Sequence, residues 1–192
     1  YGGGGGGGQG GQGKARFIHI IRDGRAVVSS LQRRGVKIKN VDTTDSRKMF
    51  DMWKHFSMRS YNKCNNFGKD ICINLRYERL ILHTEEILRK ISKFLGIPFH
   101  GQMMHHERLV GKGGGKTTRK IQVSNTEKST DDVKQAIYNN SLTAWLGRTS
   151  TASTPLVLNA KDITTLRYFG YPVSPSQLAS SEAYIKALEN GK

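Results

Sequence analysis

The run Phe17-Ile18-His19-Ile20-Ile21 stops abruptly at Arg22-Asp23-Gly24-Arg25 and passes at once into residues with helical spacing. A short β-branched stretch that ends on Asp-Gly reads as a strand buried on both faces of a parallel sheet. Val27 and Leu31 lie four apart and share one face of a helix over residues 26–34, with Gly35 placed to end it. A strand handing over directly to a helix restricts the chain to the α/β class, because the crossover must pack back onto the sheet.

The rest of the chain repeats that alternation. A helix over residues 46–62 carries Phe50, Trp53, Phe56 and Met58, and residues 72–77 alternate as a second strand. An amphipathic helix over 85–95 has Ile87, Leu88, Ile91 and Leu95 on its apolar face and is stopped by Gly96 and Pro98. Residues 111–128 are basic and glycine-rich and read as a long loop. Helices over 131–146 and 161–169 follow, separated by a Thr/Ser-rich linker at 149–154. The expected organisation is a Gly/Gln-rich disordered leader over 1–15, one domain over 16–176 and a C-terminal tail over 177–192. The glycines of the leader do not form a phosphate cradle, since no strand precedes them.

At 192 residues a single core is the expectation. The formal charge of +16 sets up a field that attracts acidic peptides, phosphorylated small molecules or polynucleotides. The basic residues are spread along the chain without zinc-finger spacing, a basic-region heptad or an aromatic RNA signature, so no nucleic-acid partner is assigned. No apolar run approaches the roughly 20 residues that cross a bilayer. The first residues lack the apolar core of a signal peptide, and with no Met at position 1 the chain reads as starting inside a longer protein. Cys64 and Cys72, the two cysteines, are wrongly spaced for a zinc site and leave one bridge or two thiols open.

The edge where a buried strand meets the next helix is where open α/β sheets bind ligands. Ser30 and Arg34 are four apart on the predicted helix, hence on one face, and that face can look back to Arg22. Two guanidinium forks and a hydroxyl suit a phosphate monoester. The alternative is that Arg34 only complements the helix C-terminal dipole.

Residues 17–30 resemble the 3′-phosphate-binding strand and helix of sulfotransferases, in the style of the tyrosylprotein branch. The likeness continues, in the family's order, through Tyr77-Glu78-Arg79-Leu80, Lys93-Phe94-Leu95-Gly96-Ile97-Pro98 and His105-His106-Glu107. It goes on through Val110-Gly111-Lys112, Lys128-Ser129-Thr130-Asp131-Asp132-Val133 and Trp145-Leu146-Gly147. Several motifs in one order are more specific than any one alone. The resemblance implies a P-loop-like sulfotransferase fold with a mainly parallel sheet flanked by helices. The implied activity moves a sulfuryl group from 3′-phosphoadenosine 5′-phosphosulfate to tyrosine hydroxyls of acidic protein segments, in the Golgi lumen, without a metal. The family is commonly dimeric.

By that resemblance Arg22, Ser30 and Arg34 hold the 3′-phosphate and Tyr77 packs beside the adenine. Ser129, Thr130, Asp131, Asp132 and Val133 also contact the co-substrate, and Ser129 helps stabilise the transition state. Ser129 is equally a helix N-cap with an acid three residues later. Cys64 and Cys72 match the family's disulfide pair. Ala144 stands where the family has a lysine. The family's first strand, its 5′-phosphosulfate loop, its glutamate base and its catalytic lysine all precede the strand at Phe17. The resemblance therefore implies a C-terminal portion, with transfer by this chain alone impaired. The alternatives are a non-catalytic nucleotide- or partner-binding protein on the same fold and a basic nucleic-acid-binding protein.

Overall fold

The computed structural model describes residues 15–39, 41–109, 137, 140–146 and 156–191. Strand β1 (Phe17–Ile21) runs parallel to β2 (Cys72–Arg76), in a register that pairs Phe17 with Cys72 and Ile21 with Arg76. The crossover between them consists of helix α1 (Gly24–Arg33) and the long helix α2 (Ser46–Phe67). Helices α3 (Tyr77–Leu82) and α4 (Thr84–Leu95) follow β2. A 3-10 segment spans Gly101–Leu109. Beyond it come the short α5 (Asn140–Thr143), α6 (Ala160–Tyr168) and α7 (Ser181–Asn190).

Local chemistry sets these boundaries. The Asp23 carboxylate accepts from the Arg25 amide and caps α1, so the helix starts two residues before the apolar spacing does. Asp45 caps α2 by accepting from the amides of Arg47 and Lys48. That helix runs five residues past the expected 62, to Phe67, where Gly68 turns it with φ +81°. Its last turn is tied down by a Cys64–Cys72 disulfide, which fastens α2 to the first residue of β2.

The core lies where α2, α6 and α7 meet the end of β1. Ile21, Met49, Phe50, Trp53, Leu166, Phe169, Tyr184 and Leu188 form its buried cluster. Over 177–192, α7 sends Tyr184 and Leu188 into that core, both fully buried. β1 differs from the expected doubly buried strand: Phe17 and Ile20 are 51% and 49% exposed. Among the described residues β1 pairs with β2 alone, so one of its edges carries no neighbouring strand. No described helix is long and apolar enough to cross a membrane.

An ion-pair cluster locks α2 to α6. Asp162, fully buried, accepts from Arg47 and from Lys54 Nζ at 2.8 Å, while Asn159 and Asp162 cap α6 reciprocally. Burial works against the Asp162 charge, but the two cations more than offset it and hold the carboxyl well below the usual carboxylate range.

Candidate functional site at the end of strand β1

Four consecutive residues leave β1 in different directions. Gly24 is required by close packing: a Cβ there would stand 2.4 Å from the Trp53 ring. The Trp53 indole N–H in turn donates to the Arg22 carbonyl at 3.1 Å, fixing the strand end against α2. Asp23 and Arg25 turn inward. Both are buried, and Arg25 gives Asp23 a fork of side-chain hydrogen bonds at 3.0 and 2.6 Å. The Tyr184 hydroxyl from α7 donates to the same carboxylate at 2.8 Å. Burial disfavours the Arg25 charge, but Asp23 more than compensates and its pKa is raised. The Arg25 guanidinium also donates to the Pro172 carbonyl at 2.7 Å and lies over the Trp145 ring, 4.6 Å from its centroid.

Arg22 turns outward into a pocket of 20 Å³. Ala26, Ser29, Ser30 and Arg33 of α1 form one wall, with the helical spacing i, i+3, i+4, i+7 of a single face. Ser141, Ala144 and Trp145, in and just after α5, form the other. Arg22 Nη2 donates across the pocket to the Ser141 carbonyl at 2.6 Å, and its guanidinium stacks over the Tyr77 ring at 4.8 Å. The Tyr77 hydroxyl shares a hydrogen bond with Ser141 Oγ at 3.2 Å.

The sequence-predicted residues are therefore partly gathered. Arg22 and Ser30 line one pocket, and Tyr77 packs against Arg22. Arg34 is the C-cap residue of α1 and is not among the lining residues; the guanidinium on that wall belongs to Arg33. Ser129, Thr130, Asp131, Asp132 and Val133 lie outside the described residues. Ser29, Arg33 and Ser141 were not assigned to the site from the sequence, and Trp145 entered only as part of a family motif. The spacing of Arg33 three residues after Ser30 was the available signal.

The donor set fits a phosphate monoester. Arg22 Nε is buried with no hydrogen-bond partner among the described residues. Arg33 is exposed on the pocket wall, and no described residue bonds to its guanidinium. An anion entering here would meet two guanidinium groups and the side chains of three serines, with no carboxylate in the lining. Among the described residues no three His, Cys, Asp or Glu are grouped so as to hold a metal ion.

A second carboxylate, Glu78, holds the backbone just after Arg22. It is buried, accepts from the Asp23 amide at 2.9 Å through Oε1, and leaves Oε2 without a partner among the described residues. Burial, aided by the neighbouring Asp23 charge, pushes its pKa up to about 7.

Residues 13–101 match the model of a sulfotransferase family. The chain is 35% identical over 134 residues to the protein-tyrosine sulfotransferase of Drosophila melanogaster, covering 70% of this chain and 26% of that protein. Protein-tyrosine sulfotransferase 1 of Homo sapiens is 36% identical over 134 residues, 70% of this chain and 35% of that protein. Protein-tyrosine sulfotransferase A of Caenorhabditis elegans is 35% identical over 133 residues, 69% of this chain and 33% of that protein. The chain thus spans about a quarter to a third of the length of these relatives. A sulfotransferase domain from the curacin biosynthetic pathway superposes with a TM-score of 0.58 at 16% identity, over 84% of this chain and 55% of that one. At that identity the match speaks for the fold.

Proposed function

This chain belongs to the sulfotransferase family, and on that footing we propose that the pocket at the end of β1 grips the 3′-phosphate of 3′-phosphoadenosine 5′-phosphosulfate. The proposed reaction moves the sulfuryl group to tyrosine hydroxyls in acidic protein segments. The observation that carries this reading is that Arg22, whose buried Nε has no partner among the described residues, and the exposed Arg33 line one pocket with Ser29, Ser30 and Ser141.

When bound, the co-substrate supplies the sulfuryl group and a bisphosphate leaving group. The chain's own residues bind and orient its nucleotide end. Arg22 exchanges its contact with the Ser141 carbonyl for phosphate oxygens, Ser30 adds a hydroxyl donor, and the Tyr77 ring backs the guanidinium. Arg34 and the stretch Ser129, Thr130, Asp131, Asp132 and Val133 are assigned to the same co-substrate, Ser129 as a hydroxyl donor to a sulfuryl oxygen. The +16 charge favours acidic segments as acceptors. A disulfide at Cys64–Cys72 is in keeping with an oxidising compartment, for which the Golgi lumen is the proposal.

The test is transfer of labelled sulfate to an acidic peptide containing one tyrosine. The expected product is sulfotyrosine, absent when the tyrosine is replaced by phenylalanine. Arg22→Ala should raise the apparent KM for the co-substrate by about tenfold, the loss of one charge-assisted pair. Nucleotide binding without any sulfated peptide would instead favour the non-catalytic alternative.

A further inference from the structure

Among the described residues the buried carboxyls Asp23 and Asp162 each pair with a cation, whereas the buried Glu78 accepts from a backbone amide at the strand end. Its Oε1 accepts the Asp23 amide, the residue after Arg22, while the residue before it, Tyr77, carries the ring under the Arg22 guanidinium. A single side chain therefore spans the two backbone segments from which the phosphate-facing groups project. Asp23 cannot do this in its place, because its own carboxylate is committed to Arg25 and Tyr184.

We propose that Glu78 is a positioning residue for the 3′-phosphate grip, its carboxyl setting the separation of Arg22 and Tyr77, and that its neutral form is the one that favours the bound phosphate. The proposal rests on the reading of the pocket given above. Glu78 feels the charges of Asp23 and Arg22, which follow β1, and itself acts on Tyr171 after α6 and Tyr184 of α7; Arg76 of β2 acts on the first of these tyrosines and Arg25 of α1 on the second. Of these, Asp23 opposes a second negative charge, and Arg22 favours one. Both tyrosines are held neutral, first by burial and then by the surrounding carboxylates. Arg25 is paired with Asp23, and Arg76 donates to the Gly170 carbonyl at 2.6 Å. A charge appearing on Glu78 thus competes with phosphate for Arg22, and by linkage phosphate binding raises the affinity of Glu78 for its proton.

The experiment measures dissociation constants of the full chain and of Glu78→Gln and Glu78→Ala for adenosine 3′,5′-bisphosphate and adenosine 5′-monophosphate, from pH 5.5 to 8.5. The phosphate itself titrates near pH 6, so the readout is the ratio of wild-type to Glu78→Gln affinity at each pH. Glutamine keeps the Oε1 acceptor and cannot ionise. The bisphosphate ratio should be near one at pH 5.5, and by pH 8.5 the wild type should bind about fivefold more weakly, at the low end of typical site-to-site coupling. The monophosphate should show no such trend. Glu78→Ala, if it folds, should bind the bisphosphate about tenfold more weakly at both ends of the range, the loss of one buried hydrogen bond at the site. A ratio that stays flat with pH overturns the proposal even if Glu78→Ala is unfolded. If the wild type does not prefer the bisphosphate at any pH, the reading of the pocket fails with it; if that preference holds and only the pH trend is missing, the Glu78 proposal fails alone.

Discussion

Replacing Glu78 by glutamine should stabilise the protein at pH 8 and leave it nearly unchanged at pH 4.5. The carboxyl is buried and its pKa stands at about 7 against an ordinary 4.5. Between those values the folded state holds a proton that the unfolded chain has released, so stability falls as pH rises through the window and levels off above 7. At about 1.36 kcal/mol per tenfold change in acidity, the full loss is about 3 kcal/mol. Glutamine has no charge to bury and is exempt. Other carboxylates act with the opposite sign. Asp42 and Asp45 are held below their ordinary value mainly by hydrogen bonds to Thr44 and Lys48, and Asp51 by Arg47, so their contributions are lost as pH falls. They also cancel when variant and wild type are subtracted. Urea denaturation at pH 4.5, 5.5, 6.5 and 8 gives the difference directly, the variant gaining progressively on the wild type. A difference constant across that range would refute a buried, proton-holding Glu78.

Gly24→Ala forces a methyl group to within 2.4 Å of the Trp53 ring and should cost at least about 1–3 kcal/mol in denaturation, the ordinary penalty of overpacking. Replacing Cys64 and Cys72 by serine removes a bridge between residues eight apart and should lower stability by about 2–3 kcal/mol, read as a fall in the denaturation midpoint. Arg33→Ala should weaken adenosine 3′,5′-bisphosphate about tenfold by calorimetry. Arg89→Ala, remote on α4 and paired with Glu85 at 2.7 Å, serves as the control for lost positive charge and should change the affinity little.

Much of the fold could be read from local chemistry, because local chemistry decides it. The β-branched run at 17–21 is a strand, and the apolar spacing and Gly96 stop α4 where expected. The extension of α2 to Phe67 was hidden by Asn62, Asn65 and Asn66, weak helix formers that the Cys64–Cys72 disulfide and β2 hold in place. Helix α3 is six residues long, too short to show a period. The parallel pairing of β1 with β2 fits the α/β reading, but the half-exposed Phe17 and Ile20 were not foreseeable from a run that looks buried throughout.

The site divides in the same way. Arg22 and Ser30 follow from the strand-to-helix handover, which any reader of the spacing could place. Arg34 follows from the four-residue rule from Ser30 and stands at the C-cap of α1, while Arg33, which lines the pocket, is legible only as the i+7 residue from Ala26. Asp23, Arg25 and Glu78 carry charge and by composition belong outside. Their burial depends on Tyr184, which is 161 residues from Asp23, and on Pro172, which is 147 from Arg25. No window of sequence contains that information.

The central claim is that the end of β1 recognises a 3′-phosphate, and it is tested most directly by comparing adenosine 3′,5′-bisphosphate with adenosine 5′-monophosphate in calorimetric titrations of the full chain and of Arg22→Ala. The account predicts that the bisphosphate binds at least about tenfold more tightly, and that Arg22→Ala removes most of that preference while leaving the monophosphate almost unchanged. Equal affinity for the two nucleotides would contradict it. So would salt-sensitive binding to long polynucleotides that survives Arg22→Ala when the mononucleotides do not bind, the behaviour of a basic nucleic-acid-binding surface.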